Sequence, residues 1–376
     1  MKLKMQKSFV YGDKNTTTYG EHVDLTELNL YIEKWVTASE IPGASLALVE
    51  NDEVIFAKGY GVRTLGKEEP VDEHTLFQTG SLTKPMTAAL VGILVDEKKM
   101  NWDDPVVNYL PAFEIDDLYI TENLTIRDVL TVRSGLIGGD TLEGADRDEI
   151  IGKMRHLKPS GQFRITQDSV NLHYLLAGQI VAAVEGKTWD EVVKERILVP
   201  LGMKETYTSI SSALPFGNVA VPHKETTKKI SPIPWVNYEN YGPAEGIVSN
   251  ICDMAKWVRL HLNEGVFNGK SLFSKEVCNE LHKPHMVLKD QWRNFFNPHA
   301  VMVGAGLSWI ISDYRGLKVL DHFGVVEGMI SFAGMIPEKR FGIVIMTNKH
   351  RCDKPIRSLK FTIYDEFFEV FRAHNI

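Results

Sequence analysis

The chain has 376 residues, of which 44% are apolar, 24% charged and 10% aromatic, values that exclude a disordered tail, a collagen-like rod and a small disulfide-stapled scaffold. Single hydrophobic cores stop growing at about 250–300 residues, so this length predicts two subdomains or one domain carrying a large insertion. Forty-nine acidic against 42 basic residues leave a net charge of −7 with no basic block, which argues against nucleic acid as a partner.

Residues 1–10 are basic but lack an apolar stretch, and no run of about 18 apolar residues occurs, so neither a signal peptide nor a membrane span is expected and the default location is cytoplasmic. The polar first 20 residues give way at Val23 to a helical pattern with Leu28, Tyr31, Ile32, Trp35 and Val36 on one face. Pro42-Gly43 breaks it, and two strand-like runs, 44–50 and 53–63, join across Asn51-Asp52 as an antiparallel hairpin. The middle, 77–215, reads as mainly helical, with candidate helices at 82–98, 125–133, 169–185 and 188–199. Strand-like runs return at 306–313, 317–321, 329–336 and 341–347, and a last helix spans about 355–373. Strands at both ends predict an α/β (α+β) fold with one antiparallel sheet built from residues 1–76 and 216–376, flanked by terminal helices, with the helical domain 77–215 inserted. A cleft between two such parts is a common place for a site.

The segment Phe77-Gln78-Thr79-Gly80-Ser81-Leu82-Thr83-Lys84 opens the helix expected to run to Lys98. Ser81 and Lys84 are three apart, so on a helix their side chains meet. A serine hydroxyl is a weak nucleophile at neutral pH and needs a base, which a lysine with a lowered pKa can supply. Ser-x-x-Lys arises by chance about once or twice in a chain this long, and a serine in a first helical turn is also an ordinary cap.

The surroundings add to the motif. The residues about Ser81 and Lys84 resemble the nucleophile segment of the serine β-lactamase and penicillin-binding-protein superfamily, and are most similar to its class C β-lactamase-like esterases and peptidases. The resemblance runs from about Val23 to Asn348 and takes in the segments 42–48, 59–62, 130–136 and 243–249. In that branch the second active-site element is usually Tyr-x-Asn ahead of a Tyr-x-Leu-Leu-Gly run. Anchoring on Tyr174 and Gly178 places Ser169 where the tyrosine stands and Asn171 on the asparagine. Ser-x-Asn is the form of other superfamily members. The resemblance therefore implies Lys84 as main base, Ser169 as proton relay and Asn171 as a ligand of both Lys84 and a substrate carbonyl. A helix cap is the plain alternative for Ser169.

The third element, His322-Phe323-Gly324, resembles the His-x-Gly that replaces Lys-Thr-Gly in esterase-like members and is expected to open the strand pair before Met329. The resemblance implies that the backbone N–H of Val325 joins that of Ser81 as an oxyanion hole, with Gly324 allowing close backbone approach. Where a lysine attracts a substrate carboxylate, an imidazole with reference pKa near 6.5 is mostly neutral at pH 7, which favours neutral acyl substrates.

His282 and His285 are separated by Pro284, no carboxylate or cysteine nearby completes a metal set with them, and the three cysteines (Cys252, Cys278, Cys352) read as reduced packing residues. There is no Gly-x-Ser-x-Gly elbow and no phosphate or dinucleotide loop, and Trp292, Phe295 and Phe296 are expected to line a pocket or pack a loop. The expectation is a serine hydrolase acting on a small-molecule ester or amide through a Ser81 acyl-enzyme, with no metal or organic cofactor required. Acyl transfer, D-amino-acid peptidase and β-lactamase activities, and a non-catalytic ligand-binding relative, stay open, as does oligomeric state.

Overall fold

Asp24 starts the first helix, α1 (Leu25–Ala38), its carboxylate accepting from the N–H groups of Thr26 and Glu27. The stripe Leu28, Ile32 and Val36 is buried. The chain then enters β1 (Gly43–Glu50) and β2 (Glu53–Gly61), an antiparallel hairpin. Asn51 and Asp52 both take positive φ (49° and 71°), the conformation whose twist suits a two-residue hairpin turn. This computed structural model of the chain describes residues 23–136, 142–167, 171–226 and 229–368.

Six later strands complete the main sheet: β3 (Met286–Val287), β4 (Val303–Ala305), β5 (Ile310–Tyr314), β6 (Leu317–Val326), β7 (Met329–Ile336) and β8 (Phe341–Thr347). All eight pair antiparallel in the order β2-β1-β8-β7-β6-β5-β4-β3. Ala44 lies opposite Thr347, so the sheet joins the first hairpin to the last strand. This is the α+β, antiparallel arrangement expected from the strand runs at both ends.

The sheet is covered on both faces, which is why β7 and β8 are buried along their whole length. Leu46, Ile343 and Ile345 pack toward α1 and the last described helix in one cluster, while Ala47, Val344 and Met346 belong to a second, larger one. The period-2 alternation of strand side chains sends neighbours to opposite faces. The larger cluster contains α2 (Lys84–Asp96), α3 (Asn171–Glu185), α4 (Ile251–Leu262) and α5 (Lys275–Leu281). α4 lies across β1 and β8, and it comes so near that a Cβ on Gly342 would stand 2.3 Å from Val258 Cγ1. Beyond it come α6 (Asp290–Phe296) and α7 (Asp353–Phe367).

Three sequence expectations change. The strand expected at 306–313 is broken: Gly306 N–H bonds Trp309 C=O at 2.7 Å and Ser308 has φ 79°, making a tight turn between β4 and β5. β6 does not stop at Asp321 but runs to Val326, so His322-Phe323-Gly324 lies inside a strand rather than opening one. Aspartate and glycine are poor strand formers, but buried Asp321 is held there by Lys360, and tertiary contact overrides local preference. The helix expected at 188–199 is segmented by one π turn, Lys194–Leu198, just before Pro200, which has no N–H to donate. Residues 251–262, for which no element is expected from the sequence, form a helix capped by Asn250. Among the described residues no helix is long and apolar enough to cross a membrane.

Candidate active site

Phe77 and Gln78 pair with Ser249 and Val248 and deliver the chain to Gly80, whose φ is 54°. Gly80–Thr83 then form a single 3-10 turn, and the α-helix begins only at Lys84, two residues later than the expected start at Leu82. Three threonines anchor this turn to the segment 243–249. Thr79 Oγ1 donates to Ile247 C=O (2.9 Å), Thr83 Oγ1 accepts from Ile247 N–H (3.1 Å), and Thr87 Oγ1 donates to Pro243 C=O (2.7 Å). The nucleophile candidate therefore sits on a braced floor.

Lys84 is 4% exposed. Its Nζ lies 2.6 Å from Ser81 Oγ and 2.5 Å from Asn171 Oδ1, and 5.8 Å from the centre of the Tyr174 ring. Tyr174 is itself fixed, its hydroxyl donating to Leu130 C=O at 2.7 Å. Asn171 is the first described residue of α3, and Ser169 lies outside the described residues.

β6 runs against the nucleophile turn from the other side. A Cβ on Gly324 would stand 1.9 Å from Thr79 O, and a Cβ on Gly80 would stand 3.0 Å from Val325 N. Ser331 Oγ, on the neighbouring strand, donates to the same Thr79 carbonyl at 2.6 Å. His322 is half-buried, and its Nδ1 donates to Phe323 C=O at 2.8 Å, which leaves Nε2 as the ring's acceptor. Burial first, and the charge of Lys84 second, pull its pKa down to about 3. The imidazole is neutral at pH 7.

These elements enclose a cavity of ≈ 290 Å³ lined by Ser81, Lys84, Asn171, His322 and Val325, with Gly324 in the same strand between its neighbours. Residues not singled out in the sequence also reach it. Glu245 enters from the 243–249 segment, and Trp309 from the turn after β4. Val132 borders it with φ 56°, a strained conformation for a β-branched residue, within a loop held by the Arg133–Asp128 ion pair (2.7 Å) and the Ser134–His173 hydrogen bond (2.6 Å). No local pattern announces a Glu or Trp as cavity-facing, because both arrive through tertiary packing. Trp292, Phe295 and Phe296 line the cavity, one of the two roles expected for them.

Away from this cavity, His261, Cys278 and His282 bring potential ligand atoms within 4.8 Å of one another. Cys278 and His282 are four residues apart, so a cysteine does stand beside His282, contrary to the expectation that none is near. The three groups bond among themselves: His261 Nδ1 to His282 Nε2 at 3.0 Å, and Cys278 Sγ to His261 C=O at 3.7 Å. Burial pushes the thiol up to about 12 and His261 down to about 3, so without a bound ion both are uncharged at neutral pH.

Comparison with known proteins places this arrangement in context. The Beta-lactamase family profile matches residues 28–358. The chain is 28% identical over 357 residues to "Unguisins hydrolase ungD'" of Aspergillus campestris, covering 90% of this chain but 62% of that protein, so it spans less than two thirds of that relative's length. Its fold superposes on an octameric penicillin-binding protein homologue from Pyrococcus abyssi with TM-score 0.72 and 26% identity, over 87% of this chain and 74% of the other. A class C β-lactamase from Rhodobacter sphaeroides gives TM-score 0.73 at 18% identity, over 89% and 97%.

Proposed function

Since the chain belongs to the β-lactamase family, we propose that it is a serine hydrolase that cleaves an ester or amide through an acyl-enzyme on Ser81. The observation that carries this reading is the buried Lys84 Nζ bonded at once to Ser81 Oγ (2.6 Å) and Asn171 Oδ1 (2.5 Å) at the cavity. With its amine unprotonated, Lys84 accepts the hydroxyl proton along that 2.6 Å line as Ser81 Oγ bonds the substrate carbonyl carbon. Asn171 holds the amine in line. The N–H groups of Ser81 and Val325 receive the developing oxyanion, a role supported by the close approach of β6 to the Gly80 turn. The proton returns to the leaving alkoxide or amine by way of Lys84 and Ser169. Water then attacks the acyl carbon and releases the acid; attack by another nucleophile gives acyl transfer from the same intermediate.

The neutral His322 distinguishes among substrates. It offers no cation to a substrate carboxylate, which favours ester or amide substrates without one over β-lactams and peptide C-termini. Treatment with a fluorophosphonate probe, read by intact mass, tests the core of the reading. One adduct on the wild-type protein, lost in Ser81→Ala, is the expected result. No adduct under conditions that label a related serine hydrolase would leave a non-catalytic ligand-binding role in its place.

A further inference from the structure

We infer that the cavity takes an uncharged substrate with an aromatic or branched apolar side chain, seated against the wall formed by Trp292, Phe295, Phe296 and Phe323. The inference rests on Ser81 being the reactive group and specifies what that group acts on. The wall comes from two elements. α6 contributes Trp292, Phe295 and Phe296, and β6 contributes Phe323, the residue between His322 and Gly324. The rings interlock: Trp292 stacks on Phe296 at 5.9 Å, Phe295 meets Phe296 edge-on at 5.0 Å, and Phe295 meets Phe323 at 5.5 Å. Trp292 and Phe295 are only half-buried although they line the cavity, so the wall offers apolar ring surface that a bound side chain would cover.

The wall is held in place before any substrate arrives. The last carbonyls of α6 have no partner within their own helix, and two cations of α7 fill that need. Arg357 donates to the carbonyls of Asn294 and Phe295, and its guanidinium lies 5.4 Å from the Phe295 ring centre. Lys360, fully buried, donates to Phe296 C=O at 3.1 Å and to Asp321 Oδ2 at 2.6 Å. Asp321 precedes His322 on β6, so one ammonium fixes the aromatic helix to the strand that borders Ser81. Preorganised apolar surface binds without the cost of ordering it.

Charge completes the specification. The ionisable side chains among the described residues lining the cavity are Lys84, Glu245, His322 and Tyr174. Lys84 is held by Ser81 and Asn171 and acts in the proposed reaction as a neutral amine; His322 is neutral; Glu245 adds no positive charge; burial raises the Tyr174 phenol, which stays protonated. No guanidinium is among them. The volume of ≈ 290 Å³ falls just below the usual range of ligand pockets, roughly 300–1,000 Å³, and suits one side chain of a small substrate.

The test pairs turnover with binding. Vinyl phenylacetate, vinyl acetate and monovinyl succinate vary the acyl half; benzyl and ethyl acetate vary the leaving half. On one of the two halves, kcat/KM for the aryl substrate should exceed that of its small counterpart by roughly tenfold to a hundredfold, and the succinate should be the poorest acyl donor. Phe295→Ala should collapse the aryl ratio toward one. Trp292→Leu serves the same purpose if that variant fails to fold. N-benzylacetamide and phenylacetate, titrated by tryptophan fluorescence, report binding without acylation, and the neutral amide should bind more tightly. Fluorophosphonate labelling without any aryl preference, or a preference for the succinate or phenylacetate anion, overturns the inference while leaving Ser81 as nucleophile. Tight binding of the neutral amide with no labelling overturns the acyl-enzyme and upholds the subsite.

Discussion

Gly324→Ala is the sharpest perturbation of the proposed site, because a single methyl group is aimed at one atom. The new Cβ would lie 1.9 Å from Thr79 O and 2.4 Å from Ser331 Oγ, where real contacts almost never fall below 3.0 Å. The serine hydroxyl can rotate away, but Thr79 O is backbone, fixed by the Thr79 N–H bond to Ile247 C=O at 2.9 Å. β6 must therefore retreat by more than about 1 Å, carrying Val325 N away from the Ser81 turn. Misplacement by about 1 Å costs on the order of 10²-fold in rate, and loss of one oxyanion donor about 10²–10³-fold. Overpacking adds a stability loss of about 1–3 kcal/mol. The assay is the second-order rate constant for fluorophosphonate labelling of Ser81, with urea unfolding run beside it to confirm a folded variant. Gly152→Ala is the control, since a Cβ there meets nothing within 4 Å. A Gly324→Ala protein that labels at the wild-type rate would refute the placement of β6 as the oxyanion wall.

Lys84→Ala should lower labelling by at least about 10²–10⁴-fold, the usual range for a general base, with Asn171→Ala and Ser169→Ala each slowing it less. A wild-type rate in Asn171→Ala would show that the 2.5 Å contact does not position the amine. Lys360→Met leaves the Asp321 carboxylate buried without its ammonium and should cost about 3–5 kcal/mol, while Lys360→Met with Asp321→Leu recovers most of it; a loss under about 1 kcal/mol in the single variant would contradict the buried pair. Burial lowers His261 from 6.5 to about 3, so the unfolded chain takes up a proton there as pH falls through 6.5 while the folded chain does so only near 3. That contribution to stability is complete above pH 6.5 and is lost on acidification toward pH 3, with a slope of about 1.4 kcal/mol per pH unit in between. Urea midpoints from pH 7 to 4.5 should show a shallower fall in His261→Phe, and an unchanged slope would argue against a neutral His261.

The parts of the fold that sequence periodicity made legible are those with a local cause. The stripe of α1, the Asn51-Asp52 turn and the apolar runs of β7 and β8 each follow from side-chain spacing or turn chemistry. β6 was cut short at Asp321 because its continuation depends on Lys360, 39 residues further on, and no window of neighbouring residues contains that pairing. Helix α4 carries a stripe in Ile251, Met254, Ala255 and Val258 behind the Asn250 cap, a local signal that the sequence does hold. At the site, the meeting of Ser81, Lys84 and Asn171 follows from helical spacing together with family likeness. The 3-10 turn that carries Ser81 depends on the positive φ of Gly80 and on the threonine anchors to residues 243–249, which are long-range. Glu245 and Trp309 reach the cavity the same way.

The nucleophile turn and the aromatic wall hang from different parts of the protein. The first is tied by Thr79, Thr83 and Thr87 to residues 243–247; the second is tied by Arg357 and Lys360 to the last described helix. The two sets of ties share no residue, but both meet at β6, which carries Phe323 of the wall and Val325 beside the nucleophile turn. Changes along α7, remote in sequence from Ser81, would re-aim the ring surface and, through Lys360 and Asp321, pull on the strand that meets the nucleophile turn. A scaffold joined in this way changes its diet only by adjusting how it cuts.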